Sequence, residues 1–291
     1  MFVANELKKT VDKQNLESIR EAFVDNLYEV VLKFFADKSM FSMSDFSIQF
    51  FDEYILGTNC HETIFTTIYL DIDQPMNYKF SSKPKKNKSK KIQIPELYFS
   101  LSDIKKGLYE TFLTHFDSNN IVWQDKYSIC LKSIIQLEDG STTNYYFRLI
   151  PCLTYYNQNN TKGIMYFYNG DIEIEYPWIA VSNFIQKNKE TNGLYRQIIL
   201  IFKNIIIKEQ KVEQLPSEII ETLLYNVPNE LFVSDSKSDI LNIVNFIRNN
   251  PLKEFKTMDE EDFAFSSIYR SMSIFYSKNI MKIIEAYITK N

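Results

Sequence analysis

Apolar residues recur at helical spacing from Leu16 to Phe35 (LESIREAFVDNLYEVVLKFF), with Ile19, Phe23, Leu27, Val30, Val31 and Phe34 on one stripe. That period predicts a long amphipathic helix serving as a scaffold spine. Between Ser47 and Asp73 the sequence SIQFFDEYILGTNCHETIFTTIYLDID reads as a strand, a tight turn or short helix around Tyr54-Ile55-Leu56-Gly57-Thr58, and a second strand rich in Thr, Ile and Tyr. Pro75 closes this region. Ser102-Asp103 can cap a helix running to about His115, with Ile104, Leu108 and Phe112 on one face. Tyr127–Leu137 and Asn144–Tyr155 flank Asp139-Gly140, and Gly163–Tyr168 and Asp171–Glu175 flank Asn169-Gly170. Both pairs predict hairpins, because Asp-Gly and Asn-Gly accept the positive φ that tight hairpin turns require. Ile172 and Ile174 alternate with Asp171, Glu173 and Glu175, so the last strand has one face in solvent. The front half therefore predicts a mixed sheet of five or six strands.

From Pro177 onward the periodicity is helical. Trp178–Lys187, Leu194–Lys208, Pro216–Leu224, Ser238–Ile247 and Phe265–Ile288 are the predicted segments, and no internal repeat interrupts them. Strands in front and helices behind predict an α+β protein: a sheet lobe over residues 1–176 and a helical lobe over 177–291, with a cleft between them.

Composition narrows the function classes. A chain of 291 residues that is 45% apolar, with 23 Phe and 19 Tyr, can bury a large core. Its six glycines form neither a Walker A loop nor a dinucleotide fingerprint. Cys60, Cys130 and Cys152 are odd in number and widely spaced, against a zinc site or a disulfide framework, and point to the reducing cytoplasm. MFVANELKKTVDKQ lacks the apolar core of a signal peptide, and no window has the length of a membrane span, so a cytoplasmic protein without a membrane partner is expected. His115 ends a helix and has no histidine nearer in sequence than His61, which predicts a cap or a solvated side chain rather than a metal ligand.

The net charge is −4, but Lys83, Lys85, Lys86, Lys88, Lys90 and Lys91 add six positive charges within nine residues and leave the rest at about −10. Such a run is either a solvated loop or a phosphate-contacting arm for nucleic acid or nucleotide. No aromatic residue interleaves it, so it offers no stacking platform for bases.

The segment around Tyr54, Gly57 and Thr58 resembles the nucleotidyltransferase fold, polymerase-β-like, and most closely the cyclic-oligonucleotide synthases of the cyclic GMP-AMP synthase and dinucleotide cyclase type. There a strand ends in Gly-Ser, runs through a Tyr-x-x-Gly-Thr-like turn and leads to a strand bearing Asp-x-Asp. The later landmarks Ile150-Pro151-Cys152, Trp178, Asn192-Gly193, Arg196, Lys203, Ser217, Glu221 and Asn226-Val227-Pro228 follow in the family's order, so the resemblance spans roughly residues 15–250. It implies that Gly57 and Thr58 frame a nucleotide, that Lys203 and Arg196 reach its phosphates, and that Ser217 lies near its base or sugar. Without the resemblance, Lys203 reads as a solvated break in an apolar helix, Ser217 as an N-cap and Arg196 as an exposed first-turn residue.

Nucleotidyl transfer in this family needs two magnesium ions held by three carboxylates. Asp52-Glu53 stand where Gly-Ser is expected, and Arg148, three residues before Pro151, stands where the resemblance places the third carboxylate. With the family's short spacing, Thr66 and Ile68 occupy the first two carboxylate positions; with a longer insertion, Asp71 and Asp73 supply both from one strand face. The short spacing makes Thr67–Leu70 the strand body and Asp71–Pro75 its exit. These departures imply a catalytically degenerate member that needs no cofactor and acts by binding a nucleotide, a protein partner or a second copy of itself. The alternatives are a magnesium-dependent enzyme making cyclic or linear oligonucleotides, with Asp71 and Asp73 as ligands, and a nucleic-acid binder working through the lysine run. Family analogy implies an antiviral signalling context.

Overall fold

A computed structural model describes residues 25, 27–34, 46–51, 58, 63–72, 101–116, 121–124, 127–136, 140, 142–157, 159–168, 171–210, 217–261, 263–265 and 274–290. The chain divides into two compact units, one of Asp12–Phe51 and Phe65–Pro177, the other of Met1–Val11, Asp52–Ile64 and Trp178–Asn291.

The first unit carries the sheet. Helix α1 (27–34) buries Leu27, Val30, Val31 and Phe34, the described part of the predicted spine and the predicted face. Strands β1 (Phe46–Phe51) and β2 (Thr63–Ile72) pair antiparallel from Phe46↔Ile72 to Phe51↔Thr67. Helix α2 (Leu101–His115) turns Leu101, Ile104, Leu108 and Phe112 inward at i, i+3 and i+4 spacing, while His115 is exposed and meets only the Phe116 ring edge-on among the ring contacts described. Strands β3 (Ile121–Gln124), β4 (Ile129–Gln136) and β5 (Thr142–Tyr156) follow, then β6 (Lys162–Tyr168) and β7 (Asp171–Glu175). The sheet runs β1-β2-β5-β4-β3, with β6 on β5 and β7 on β6, seven strands among the described residues rather than five or six. The unforeseen strand is β3, whose four residues IVWQ are too short to show a period.

Both predicted hairpins form. β4 pairs with β5 through Gln136↔Thr142, and Gly140 takes φ +79° in the turn. β6 pairs with β7 from Ile164↔Glu175 to Tyr168↔Asp171. Besides β2, the long strand β5 serves β4 as far as Leu149 and β6 from Leu153. Pro151 lies between the two ladders, where its missing N–H costs neither of them a bond.

The second unit is helical. α3 (Pro177–Glu190) is longer than predicted and passes through Asn192 and Gly193, both with positive φ, into α4 (Leu194–Gln210). α5 (Ser217–Tyr225), α6 (Lys237–Asn249) and α7 (Ile274–Lys290) complete it. The last of these begins later than the predicted Phe265, which sits in a turn. α4 packs against α5 and α7, and its Ile198, Ile199, Ile201, Phe202, Ile205 and Ile206 are fully buried. Each such side chain contributes about 1.5–3 kcal/mol, so α4 is the axis of this unit. α6 is capped by Ser236, whose hydroxyl accepts from the Asp239 amide.

Candidate functional site

In the helical unit, the apolar run of α4 carries one lysine. A turn of helix on either side places Ile199 and Ile206 on its face, both fully buried, so Lys203 enters the core at 1% exposure. It is therefore no solvated break. A buried ammonium needs a partner, because burial removes its hydration. Glu221 supplies it from α5, where Ile220 and Leu224 keep the same side dry: Lys203 Nζ lies 2.8 Å from Glu221 Oε1, with the two side chains 1% and 4% exposed. Thr58, itself fully buried, completes the cluster. Its hydroxyl donates to Glu221 Oε1 at 2.7 Å, and its carbonyl accepts from Lys203 Nζ at 3.1 Å. The Tyr195 hydroxyl closes the back by donating to the Glu221 carbonyl at 3.0 Å, and burial, with Glu221 adding to it, raises that phenol well above the ordinary tyrosine range.

In the last turn of α3, Lys187 is a second buried cation. Its ammonium donates to the Val227 carbonyl at 2.7 Å and to Asn229 Oδ1 at 2.8 Å, among the rings of Tyr195, Tyr225 and Phe232. Desolvation lowers its pKa to about 8, against the opposing pull of Glu190 and Glu230. Tyr225 donates to Glu260 at 2.6 Å across a polar hollow of about 380 Å³ that Asn183, Lys187, Glu190 and Asn226 also line.

In the sheet unit, one face of β5 and its neighbours is polar. Asp71 accepts from the Thr154 hydroxyl at 2.6 Å, and Glu175 accepts from Tyr69 at 2.8 Å and Tyr166 at 2.6 Å. Arg148, half-buried, donates through Nε to Ser128 Oγ at 3.2 Å. Cys152 is fully buried, and desolvation, then Asp71 and Glu175, push its thiol well up.

The sequence-derived residues are thus distributed. Lys203 and Thr58 come together within the helical unit, with Glu221, a family landmark in the sequence, as the link that local pattern did not assign a role. Arg196 is exposed in the first turn of α4, and Ser217 is the first residue of α5, one position inside the helix from where an N-cap would act. Thr66 lies within β2, and Ile68 on the same strand is fully buried. Asp71 belongs to the body of β2, opposite Ser47 and 6% exposed, and so corrects the expectation of a strand exit from Asp71 onward: the β1 ladder continues through Ile72. Asp52, Glu53, Gly57, Asp73 and the lysines from Lys83 to Lys91 lie outside the described residues. Thr154, Glu175, Tyr69 and Lys187 were missed. A solitary charge inside an apolar helical run was the signal available for Lys203 and Glu221; none existed for Thr154.

Residues 182–289 match the model of the cGAS/DncV-like nucleotidyltransferase C-terminal helical domain. The chain is 29% identical over 223 residues to the cyclic nucleotide synthase CdnE01 of Staphylococcus haemolyticus, covering 68% of this chain and 71% of that relative. Among solved structures it is similar to the Rhodothermus marinus CdnE c-UMP-AMP synthase with Apcpp and Upnpp, at TM-score 0.63, 17% identity and 91% coverage of both chains. It is likewise similar to the Elizabethkingia meningoseptica CdnE cyclic dinucleotide synthase with GTP and Apcpp, at TM-score 0.60, 18% identity and 91% coverage of both. Among the described residues no helix is long and apolar enough to cross a membrane.

Proposed function

Starting from the chain's place among the cyclic-nucleotide-synthase-like proteins of the nucleotidyltransferase fold, we propose that it binds a nucleotide without carrying out nucleotidyl transfer. The observation that carries this reading is Arg148. Its guanidinium is fixed to Ser128 on the sheet, at the position where the resemblance puts a metal-binding carboxylate. With the family's short spacing Ile68 stands at another of those positions, and it is apolar and fully buried. Magnesium requires hard oxygen ligands, and neither side chain offers one, so the donor set at these positions does not fit the ions that the family's chemistry implies. No transfer step is derived through them. As the resemblance implies, nucleotide recognition falls to Gly57, Arg196 and Ser217, with Thr58 behind them in the core, and two structures to which the chain is similar were solved with nucleotides or their analogues.

Equilibrium dialysis and pyrophosphate release, measured together on labelled nucleoside triphosphates with magnesium or manganese, test the proposal. The expected result is retention of nucleotide without release of pyrophosphate. Steady release that Asp71→Asn and Asp73→Asn abolish would overturn it.

A second reading, an active magnesium-dependent synthase using Asp71 and Asp73, draws on one observation. Asp71 is held inside β2 by Thr154 at 2.6 Å, a preset acid rather than a solvated turn residue. The same two asparagine variants decide between the readings.

A further inference from the structure

We infer that Lys203 and Glu221 are positioning residues which hold Thr58, so that Lys203 acts on a nucleotide through Thr58 and not by touching phosphate. This rests on the nucleotide-binding reading for its functional consequence but not for its structural content.

Three observations carry it. The first is charge. Lys203 meets a carboxylate at 2.8 Å inside a core, and an ammonium so neutralised presents little net field to a triphosphate. The second is direction. The hydrogen bonds place the ammonium against the Thr58 carbonyl and the Glu221 carboxylate, with 1% of the side chain open to solvent, whereas a phosphate ligand must face the space the phosphate occupies. The third is reach. Thr58 is held at both its carbonyl and its hydroxyl, by two helices whose partner residues stand 145 and 163 positions away in sequence. One carboxylate oxygen receives both the Lys203 ammonium and the Thr58 hydroxyl, so loss of either helix partner loosens the same residue.

Direct phosphate contact and positioning make opposite predictions for the acid. If Lys203 contacts phosphate, Glu221→Gln frees its charge, and affinity holds or rises while Lys203→Met weakens it. If the pair positions Thr58, Glu221→Gln, Lys203→Met and Thr58→Val each weaken nucleotide binding at least tenfold. Lys203→Met/Glu221→Met is then no weaker than Lys203→Met alone, and Thr58→Ser, which keeps the hydroxyl, restores wild-type affinity. Binding is read by isothermal titration of ATP and UTP with calcium. Because a single charge left unpaired in the core can unfold the protein, the double variant and Thr58→Val, which leave no lone charge, provide the decisive comparison. Hydrogen exchange without ligand forms the second arm: protection of the Thr58 amide peptide is expected to fall in the double variant while that of α4 and α5 stays within twofold of wild type. Retained protection at Thr58, or undiminished affinity in the double variant, overturns the inference. A wild-type protein that binds neither nucleotide but shows the exchange result overturns the nucleotide reading and leaves the positioning assignment standing.

Discussion

Lys187 donates to the carbonyl oxygen of Val227 at 2.7 Å from within a ring of aromatic side chains, and its ammonium sits there at a cost in hydration. Its folded pKa, about 8, lies below the ordinary lysine value of 10.5, so between these two values the unfolded chain binds the proton that the folded chain has released. Stability therefore rises with pH across that window, and below pH 8 the penalty of the buried charge is fully present. A neutral amine still donates to Val227 and Asn229, so the gain comes without loss of either bond. Tyr195 and Tyr225, whose phenols are raised in the fold, act in the opposite sense once the unfolded tyrosines ionise near pH 10. Urea unfolding at pH 7.5 and 9.5 should show an increase on the order of 1 kcal/mol after allowance for solvent screening, absent from Lys187→Met. An equal increase in the variant would remove Lys187 as its source.

The ion pair between α4 and α5 should behave asymmetrically. Lys203→Met alone leaves Glu221 charged in the core and is expected to cost about 3–5 kcal/mol, while Lys203→Met/Glu221→Met is expected to lie within about 1–2 kcal/mol of wild type. By contrast Arg248→Ala, which removes the partly exposed contact with Glu285, should cost less than about 1 kcal/mol. Denaturant midpoints at constant m-value check all three.

Thr154→Val keeps the shape of its site but withdraws the hydroxyl from a carboxylate that is 6% exposed, so about 1–3 kcal/mol should be lost. Thr142→Val, on the exposed end of the same strand, is the control and should change stability by less than about 0.5 kcal/mol.

Cys152 should resist alkylation in the native state, because thiolate is the reactive form and burial disfavours it. Peptide mass mapping after iodoacetamide is expected to find Cys152 unmodified in buffer and modified in urea. Rapid native modification would contradict the burial described for it.

Much of this architecture was legible in the residues. The stripe through Leu27, Val30, Val31 and Phe34 and the Asp139-Gly140 and Asn169-Gly170 pairs carry local information, since helix faces and tight turns are fixed by neighbours in sequence. The four-residue strand Ile121–Gln124 carries none, because its pairing with β4 is a tertiary fact. Asp71 shows the limit of reading a strand end from composition: its ladder partner Ser47, not its own polarity, keeps it in β2. The site divides the same way. Lys203 stood out within LIFKNIII, but its link to Thr58 spans 145 positions and no periodicity encodes it.

The handover in β5 at Pro151 couples the two hairpins like gears on one shaft. A residue inserted between Thr142 and Tyr156 reverses the faces of everything beyond it, so one hairpin can keep its partners only if the other loses them. Arg148 lies on one side of that handover and Thr154 on the other. Their alignment along the strand is consequently a single setting: a residue gained or lost between them turns one of the two to the opposite face.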